Sequence, residues 1–310
     1  MMYFWLILGL ATLVGGGEVL VRGAVGIARK FKISTLVIGM TVISFGTSAP
    51  ELMVSLSSAL GGHPEIAIGN VMGSNIANLA LVLGVTTIIF PIIVSRNTKI
   101  IDWPIMMFAT ILFFVFSLDL VIAQWEGALM FAILIAFTFW IIRRSRRETK
   151  VDDGVDEHTK PMNPLICTGL LLAGLVALYF GSQWMLKGAV GIAQSFGMSE
   201  RVIGLTVVAF GTSVPELVTS AIAAFKKETD ISIGNLIGSN LFNIFAVIGL
   251  TAAFVPVPVS QGTLDFDMWW VLGIAILILP MMVIGKKIGR LKGAILLSTY
   301  IVYIGLLLAM

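Results

Sequence analysis

Long apolar runs separated by short polar breaks make up almost the whole chain. Ten of these runs are long enough, at roughly 20 residues each, to cross a hydrocarbon core as helices. The pattern therefore predicts an all-α polytopic membrane protein. We place its ten transmembrane helices at about 3–28, 34–60, 66–90, 102–118, 125–142, 164–187, 201–225, 230–255, 267–285 and 292–309.

A polar linker, 143–163, separates the first five helices from the last five, and it contains the charged run Arg143–Lys160. The linker is too short to form a regulatory domain. We therefore expect one transmembrane domain over 1–310, with a first five-helix repeat over 1–142 and a second over 164–310.

The two halves of the chain are copies of each other. The segment Val37–Thr86 recurs 165 residues later as Val202–Thr251, with 25 identical residues in 50 positions. The run GAVGIA at Gly23–Ala28 returns at Gly188–Ala193 with the same offset. Because each copy has an odd number of helices, the second copy must lie inverted relative to the first. Two inverted 5+5 repeats are thus the predicted architecture.

The lysines and arginines follow this inversion. Their clusters are missing from the matching positions of the other copy: Lys226 and Lys227, for example, correspond to Gly61 and Gly62. Cations concentrate in short cytosolic loops. We therefore predict that both termini are extracellular and that the linker 143–163 is cytosolic. In this topology most of the 20 Lys and Arg residues lie on the cytosolic side.

Composition supports a membrane protein, with 58% hydrophobic residues, 12% charged residues and a mean hydropathy of +1.01. A soluble domain carries about twice that charged fraction. The net charge of +3 comes from cations at helix ends, so no nucleic-acid partner is expected. A single cysteine, Cys167, excludes an internal disulfide. The short linker and the lack of a targeting segment indicate the plasma (cell) membrane of a prokaryote.

The motif GTSAPE at Gly46–Glu51 and its copy GTSVPE at Gly211–Glu216 place one glutamate in each matched apolar stretch. A carboxylate at bilayer depth is costly, and it marks a functional site with a cation or a proton as its partner. The proline of each motif lacks an N–H and frees the carbonyl four residues back. Hydroxyls, freed carbonyls and a carboxylate form an all-oxygen set that suits Ca²⁺ and Na⁺. Glu51 and Glu216 are therefore predicted metal ligands.

A second matched pair is GNVMGSNIAN at Gly69–Asn78 and GNLIGSNLFN at Gly234–Asn243. Polar residues recur there at every fourth position and form one stripe on each helix. The stripe members are Asn70, Ser74 and Asn78 in the first copy and Asn235, Ser239 and Asn243 in the second. With the prolines of the other motif, the glycines predict broken helices 2, 3, 7 and 8 that approach closely.

The other polar residues have simpler explanations. Glu18 is expected to have an interfacial or packing role. His63 and His158 fall in loops without partner ligands, so no metal site is predicted there. Four aspartates are predicted to be solvated loop charges: Asp102, Asp119, Asp265 and Asp267.

With both motif pairs in place, the chain resembles the cation/calcium antiporter superfamily, on the sodium/calcium exchanger side. The two repeats of that family carry GTSxPE and GNxxGSNxxN, which stand here twice at a fixed offset. Several family members, including potassium-dependent ones, have Asp where this chain has Asn243, and this departure argues against potassium coupling. The proton-coupled branch has a GNxxE-type motif, whereas this chain has no acid after Gly69-Asn70 or Gly234-Asn235.

The resemblance implies a role for each matched position. Glu51 and Glu216 would be shared ligands of Ca²⁺ and Na⁺. The remaining implied ligands are the carbonyls of Thr47 and Thr212 for calcium, the hydroxyls of Ser48, Ser74, Ser213 and Ser239 with the carbonyls of Ser44 and Ala209 for sodium, and Asn78 and Asn243 at the centre.

We therefore expect a secondary antiporter that exchanges Ca²⁺ for Na⁺ by alternating access. An H⁺-coupled antiporter of Ca²⁺ or another divalent cation is the alternative, and a passive cation channel is a third hypothesis. An enzyme is disfavoured because the chain has no HExxH, GxSxG or intramembrane aspartate pair. No cofactor and no obligate protein partner are expected, and a monomer within the lipid bilayer would suffice.

Overall fold

The computed structural model describes residues 1–149, 163–197, 209–285 and 287–309. Within these residues the fold is helical apart from four two-residue strands. The α-helices are α1 (Met2–Phe31), α2 (Thr35–Ile38), α3 (Ser44–Thr47), α4 (Ala49–Leu60), α5 (Glu65–Ile76), α6 (Leu83–Ile89), α7 (Trp103–Phe116), α8 (Gln124–Thr149), α9 (Pro164–Ser195), α10 (Ala209–Thr212), α11 (Val214–Phe225), α12 (Thr229–Phe242), α13 (Gly249–Phe254), α14 (Met268–Val283) and α15 (Arg290–Ala309).

Several α-helices are joined by π-helical turns, in which one extra residue per turn shifts the backbone hydrogen bonds. These turns are Gly39–Ile43, Ala77–Val82, Thr98–Asp102, Asn243–Ile248 and Thr263–Asp267. The strands are β1 (Ile92–Ile93), β2 (Val121–Ile122), β3 (Val257–Pro258) and β4 (Lys287–Ile288).

Eight helical spans of the described chain are long and apolar enough to cross a membrane, and there are nine if 35–47 and 49–60 are counted as one span. The protein is thus an all-helical multi-pass membrane protein. The shorter apolar helix Val214–Phe225 belongs to the predicted span 201–225, whose first residues lie outside the described part of the chain. The spans Glu65–Ile89 and Thr229–Phe254 are the most buried of these. In the most apolar 18-residue stretch of each, 78% and 89% of the residues are buried.

The chain divides into two compact units that do not coincide with the two sequence repeats. The first unit contains Met1–Thr47 and Phe139–Asn235, and the second contains Ser48–Thr138 and Leu236–Met310. Each unit therefore takes residues from both halves of the sequence. The division falls directly after Thr47 and directly after Asn235, inside the two motif regions.

The first unit is built on a long antiparallel pair, α1 and α9. Glycine backbones meet along this pair, because a Cβ on Gly23 would lie 2.6 Å from the Leu171 nitrogen and one on Gly174 would lie 2.6 Å from the Leu20 nitrogen. The contact glycines, which we call the glycine seam, recur every seventh residue: Gly9, Gly16 and Gly23 on α1 and Gly174, Gly181 and Gly188 on α9. The two helices are repeat mates in the sequence, and they run in opposite directions.

In the second unit, two antiparallel strand pairs join the loops between helices. β1 pairs with β4 in the register Ile92↔Ile288, and β2 pairs with β3 in the register Ile122↔Val257. β3 follows β1 at the repeat offset of 165 residues and β4 follows β2 at 166, so the two copies form equivalent strand pairs with a shift of one residue. The hydropathy pattern did not predict these short strands.

Candidate cation-binding site

Two single-residue breaks create the start of the helices that carry the glutamates. α3 ends at Thr47 and α4 begins at Ala49, while the Ser48 between them has φ −89° and ψ 4°. Ser213, between α10 and α11, has nearly the same angles, φ −87° and ψ 2°. The motif proline therefore stands in the first turn of a new helix, where its missing N–H costs no hydrogen bond. The sequence analysis expected a broken helix here, but it did not give the residue at which the helix ends.

Glu51 and Glu216 both lie in the first turn of their helices and are both 1% exposed. The N-terminal end of a helix carries partial positive charge, so it favours a carboxylate there. This effect is small compared with the cost of taking a charged carboxylate out of water. Two such acids at matched positions are therefore expected to be neutralised by a cation.

In the first unit, Asn235 links two of the predicted site residues. Ser44 Oγ lies 3.0 Å from the Asn235 carbonyl oxygen, and Thr47 Oγ1 donates to Asn235 Oδ1 at 3.3 Å. Asn235 Nδ2 in turn donates to Ser220 Oγ at 3.0 Å. α3 packs against α11, the helix that carries Glu216. The first unit thus brings Ser44 and Thr47 together with the asparagine of the second motif.

In the second unit, Asn70 occupies the repeat-mate position of Asn235. Its Nδ2 donates to Ser55 Oγ at 2.9 Å and to the Glu51 carbonyl oxygen at 3.2 Å. Ser55 is in turn the repeat mate of Ser220, so the same amide–hydroxyl contact occurs in both copies of the motif. These bonds fix the backbone of Glu51 and orient the first turns of α4.

Two further asparagines meet in the second unit. Asn243 Nδ2 donates to Asn75 Oδ1 at 3.1 Å. Asn243 begins the π turn Asn243–Ile248, against which both α4 and α5 pack. Its mate Asn78 lies in the π turn Ala77–Val82. π turns occur often at functional sites because they interrupt the regular hydrogen-bond ladder.

Four of the predicted site residues have a buried side-chain oxygen with no hydrogen-bond partner among the described residues. These oxygens are Ser213 Oγ, Ser239 Oγ, Asn78 Oδ1 and Asn243 Oδ1. Leaving a buried polar atom without a partner costs roughly 1–3 kcal/mol. Oxygen atoms of this kind are the ligands that hard cations accept. Each unit therefore contributes at least one buried oxygen that a cation could satisfy.

The remaining predicted residues are also placed by the structure. Ser48 and Ser74 are buried, at 0% and 3% exposure. Thr212 is half-buried at the end of α10, and Ala209 begins the same helix. The structure describes the burial of eleven of the twelve predicted residues, all except Ala209. Each of these eleven is buried or half-buried.

The sequence analysis missed two buried asparagines. Asn75 and Asn240 are each 1% exposed; Asn75 contacts Asn243, and Asn240 Nδ2 donates to the Leu236 carbonyl at 2.7 Å. Asn240 Oδ1 lacks a partner among the described residues. A signal was present, because both positions are asparagine in the two copies and lie next to the serine of the stripe.

The expectation that four aspartates are solvated loop charges was wrong for two of them. Asp102 is 1% exposed, and Asp267 Oδ1 accepts the Tyr303 hydroxyl at 2.8 Å. Both end π turns that lead directly into α7 and α14, so neither lies in a solvated loop: Asp102 is buried and Asp267 is half-buried. Asp119 and Asp265 are exposed, as predicted. His63 is exposed beside Glu65, and His158 lies outside the described residues.

The family comparison decides what kind of protein carries this site. The family described as "Sodium/calcium exchanger protein" matches residues 1–143 and 166–309. The chain belongs to this family. The resemblance to the cation/calcium antiporter superfamily is thereby confirmed, and the family is one of secondary transporters for Na⁺ and Ca²⁺, not of enzymes.

Individual relatives agree over nearly the whole chain. The sodium/calcium exchanger MaX1 of Methanosarcina acetivorans is 30% identical over an alignment of 336 positions, gaps included, that covers 96% of each chain. The inner membrane protein YrbG of Escherichia coli is 33% identical over 259 residues, or 81% of this chain and 79% of its own. A structure of the sodium-calcium exchanger NCX_Mj, soaked with 2.5 mM Na⁺ and 0.1 mM Ca²⁺, matches with a TM-score of 0.84 and 32% identity over 98% of this chain and 97% of that one.

Proposed function

We propose that this exchanger-family protein moves Ca²⁺ in exchange for Na⁺ by alternating access, with Glu51 and Glu216 as ligands shared by both ions. The observation that carries the proposal is the burial of both glutamates, each 1% exposed, in motifs whose serine, threonine and asparagine residues are buried as well. The names of MaX1 and NCX_Mj, both sodium/calcium exchangers, support the same ion pair.

The remaining proposed ligands belong to the same two pairs of sequence motifs as these acids. For Ca²⁺ we propose the carbonyls of Thr47 and Thr212. For Na⁺ we propose the hydroxyls of Ser48, Ser74, Ser213 and Ser239 and the carbonyls of Ser44 and Ala209, with Asn78 and Asn243 lining the centre. The unpartnered oxygens of Ser213, Ser239, Asn78 and Asn243 support this choice.

Charge balance explains why exchange is favoured over leak. Two carboxylates supply a charge of −2, which one Ca²⁺ or two Na⁺ neutralise, and a third Na⁺ would make a full cycle electrogenic. The ions compete because they share Glu51 and Glu216. An empty site would leave two like charges in a medium of low dielectric, which opposes the crossing of an unloaded carrier.

Transport by the reconstituted protein tests the proposal. Proteoliposomes loaded with Na⁺ should take up ⁴⁵Ca²⁺ when diluted into Na⁺-free buffer, and Glu51→Gln or Glu216→Gln should abolish this uptake. Glu65→Gln is the matched control, because Glu65 is an exposed glutamate of the same region. Wild-type uptake by either of the first two variants would refute the assignment of shared ligands.

The coupling ion is identified in the same vesicles by changing only the gradient. We expect Ca²⁺ uptake with a Na⁺ gradient and none with a K⁺ gradient, in keeping with the neutral Asn243. Uptake driven by a pH gradient in the absence of Na⁺ would instead establish an H⁺-coupled divalent-cation antiporter. Ca²⁺ flux that ignores Na⁺ on the opposite side would indicate a channel.

We further propose the plasma membrane as the location, with both termini outside and the linker 143–163 inside. In a Cys167→Ala background, which removes the single cysteine, we would introduce His63→Cys or Arg147→Cys in turn. A membrane-impermeant maleimide added to intact cells should label the first variant and not the second. The reverse labelling pattern would invert the topology.

A further inference from the structure

A basic groove lies in the first unit, and neither Glu51 nor Glu216 lines it. It has a volume of about 820 Å³, and its lining includes five cationic side chains and no carboxylate among the described residues. Lys30 and Lys32 come from the end of α1 and the residue after it, while Arg143, Arg146 and Arg147 come from the last turns of α8. We call this feature the basic groove.

The two walls of the groove are held together by hydrogen bonds. The Ser34 backbone N–H donates to Ser145 Oγ at 2.8 Å, and the two serine hydroxyls lie 3.2 Å apart. Ser145 is buried between arginines on either side of it. The next arginine, Arg144, lies over the Trp140 ring at 5.4 Å instead of lining the groove. The spacing of the groove cations is therefore fixed by the fold.

The mouth of the groove is apolar on the membrane side. Phe31 and Phe139 are part of its lining and are 47% and 66% exposed. Both lie where an apolar helix gives way to charged residues, which is the depth of the lipid headgroups. A ligand that combines an anionic group with hydrocarbon would contact both parts of the groove.

The positive-inside rule by itself does not explain a groove. That rule asks only for cations in cytosolic loops, and a second cation cluster on the same predicted side is arranged differently. There, Lys292 Nζ donates to the carbonyls of Met281, Ile284 and Lys287, and Arg290 Nε donates to the Ile88 carbonyl at 3.1 Å. Backbone carbonyls accept hydrogen bonds from those cations, whereas the five cations of the basic groove line one open volume.

We propose that the basic groove binds the phosphate headgroup of an anionic phospholipid from the adjacent leaflet, with an acyl chain against Phe31 and Phe139. Several like charges in one concavity repel each other, and a phosphate relieves that repulsion. Arginine guanidinium groups match phosphate oxygens with two parallel N–H bonds. The groove has no counterpart in the other repeat, because Lys30 and Lys32 correspond to Ser195 and Gly197. The bound lipid would thus occupy one leaflet only.

Lipid titration of the purified full-length chain tests this proposal. Native mass spectrometry should show one phosphatidylglycerol retained by the wild type in preference to phosphatidylcholine. Each cation near an anionic headgroup contributes a factor of about five, so the triple variant R143Q/R146Q/R147Q should bind phosphatidylglycerol roughly tenfold or more weakly. The matched control R29Q/K227Q/K287Q removes three exposed cations of the same predicted side that do not line the groove.

Further arms separate the sources of the anion. Inorganic phosphate at the same concentration should not displace the lipid. Phe139→Ala should weaken the binding of phosphatidylglycerol and leave the binding of inorganic phosphate unchanged. If the triple variant fails to fold, K30Q/R146Q removes one cation from each wall and serves the same purpose. Equal binding by groove and control variants would overturn the proposal. So would phosphatidylglycerol binding that appears only after Asp152, Asp153, Asp156 and Glu157 of the linker are neutralised, because the chain itself would then supply the anion.

Discussion

Lys226 Nζ lies 2.5 Å from Glu18 Oε1, and this ion pair joins the middle of α1 to the end of α11. Close packing accompanies it, since a Cβ on Gly17 would lie 2.8 Å from the Ile222 side chain. The repeat mates of the pair are Gln183 and Gly61, which cannot form an ion pair. The contact therefore exists on one side of the pseudo-symmetric protein only, and the packing role expected for Glu18 has a specific partner.

We predict that Lys226→Gln changes the apparent Ca²⁺ affinity in opposite directions on the two membrane faces. A contact present on one side stabilises one access state, and its loss shifts the population toward the other. A partly exposed pair contributes up to about 1 kcal/mol, so shifts of about two- to fivefold are expected. Half-saturating Ca²⁺ should be measured in right-side-out and inside-out vesicles.

The control for this prediction is Arg22→Gln, which removes the other partner of Glu18. That bond, at 2.8 Å, joins two residues of α1 itself and should leave both affinities unchanged. The charge swap E18K/K226E should restore the wild-type values. Parallel shifts on both faces would show that the pair affects the ion site and not the balance of access states.

A second prediction concerns Asn75, the partner of Asn243. Asn75→Ala leaves the buried Asn243 amide without its acceptor at 3.1 Å, and a lost acceptor of this kind costs about 1–3 kcal/mol. We expect half-saturating Ca²⁺ in vesicle uptake to rise about five- to a hundredfold. Asn75→Asp keeps an acceptor oxygen and should retain more affinity. Asn240→Ala is the repeat-mate control and should have the smaller effect, because the Asn240 amide bonds only a carbonyl of its own helix. Equal losses in the two alanine variants would contradict the positioning role.

A third prediction compares the repeat mates Asn235 and Asn70. Asn235 is fully buried and joins Thr47 to Ser220, whereas Asn70 is half-buried and bonds Ser55 and the Glu51 carbonyl. Asn235→Ala should therefore lower the free energy of unfolding by about 1–3 kcal/mol, and Asn70→Ala by less, since water can reach the groups it leaves behind. Thermal unfolding of the purified variants in detergent measures both. A larger loss for Asn70→Ala would show that burial does not rank these two bonds.

A fourth prediction tests the glycine seam. Gly23→Ala places a Cβ 2.6 Å from the Leu171 nitrogen, so a helix backbone must move, at a cost of about 1–3 kcal/mol. Gly15→Ala, on the same helix, meets no described atom within 4 Å and should be neutral or stabilising by up to about 1 kcal/mol. Unfolding midpoints of the two variants in one detergent provide the measurement. Similar midpoints would mean that α1 and α9 separate easily.

Much of this molecule was predictable because the chain was duplicated. A polar residue that recurs at an offset of 165 stands in both copies of the motif, and Asn70 with Ser55 forms the same contact as Asn235 with Ser220. Hydropathy predicted the long spans, since about 20 apolar residues in a row have few alternatives to a membrane helix. The motif glutamates are buried, as a carboxylate in such a run must be if it is functional.

Other features depend on geometry that spacing alone does not encode. The hydropathy pattern made Asp102 and Asp267 look like loop residues, but both end π turns that lead into α7 and α14, where Asp102 is buried and Asp267 half-buried. The restart of the helix at Ala49 was equally hidden, because a proline signals a break without giving its exact residue. The basic groove arises from two segments more than a hundred residues apart, which no local pattern connects.

The seven-residue spacing of the glycine seam limits how the exchanger can move. Out of this register, side chains would meet a backbone that has no room for them, since even a Cβ on Gly23 or Gly174 would lie 2.6 Å from the opposite helix. The next matching alignment lies seven residues away, or about 10 Å along a helix axis. We therefore expect α1 and α9, the two longest described helices, to keep this register and to move together during transport.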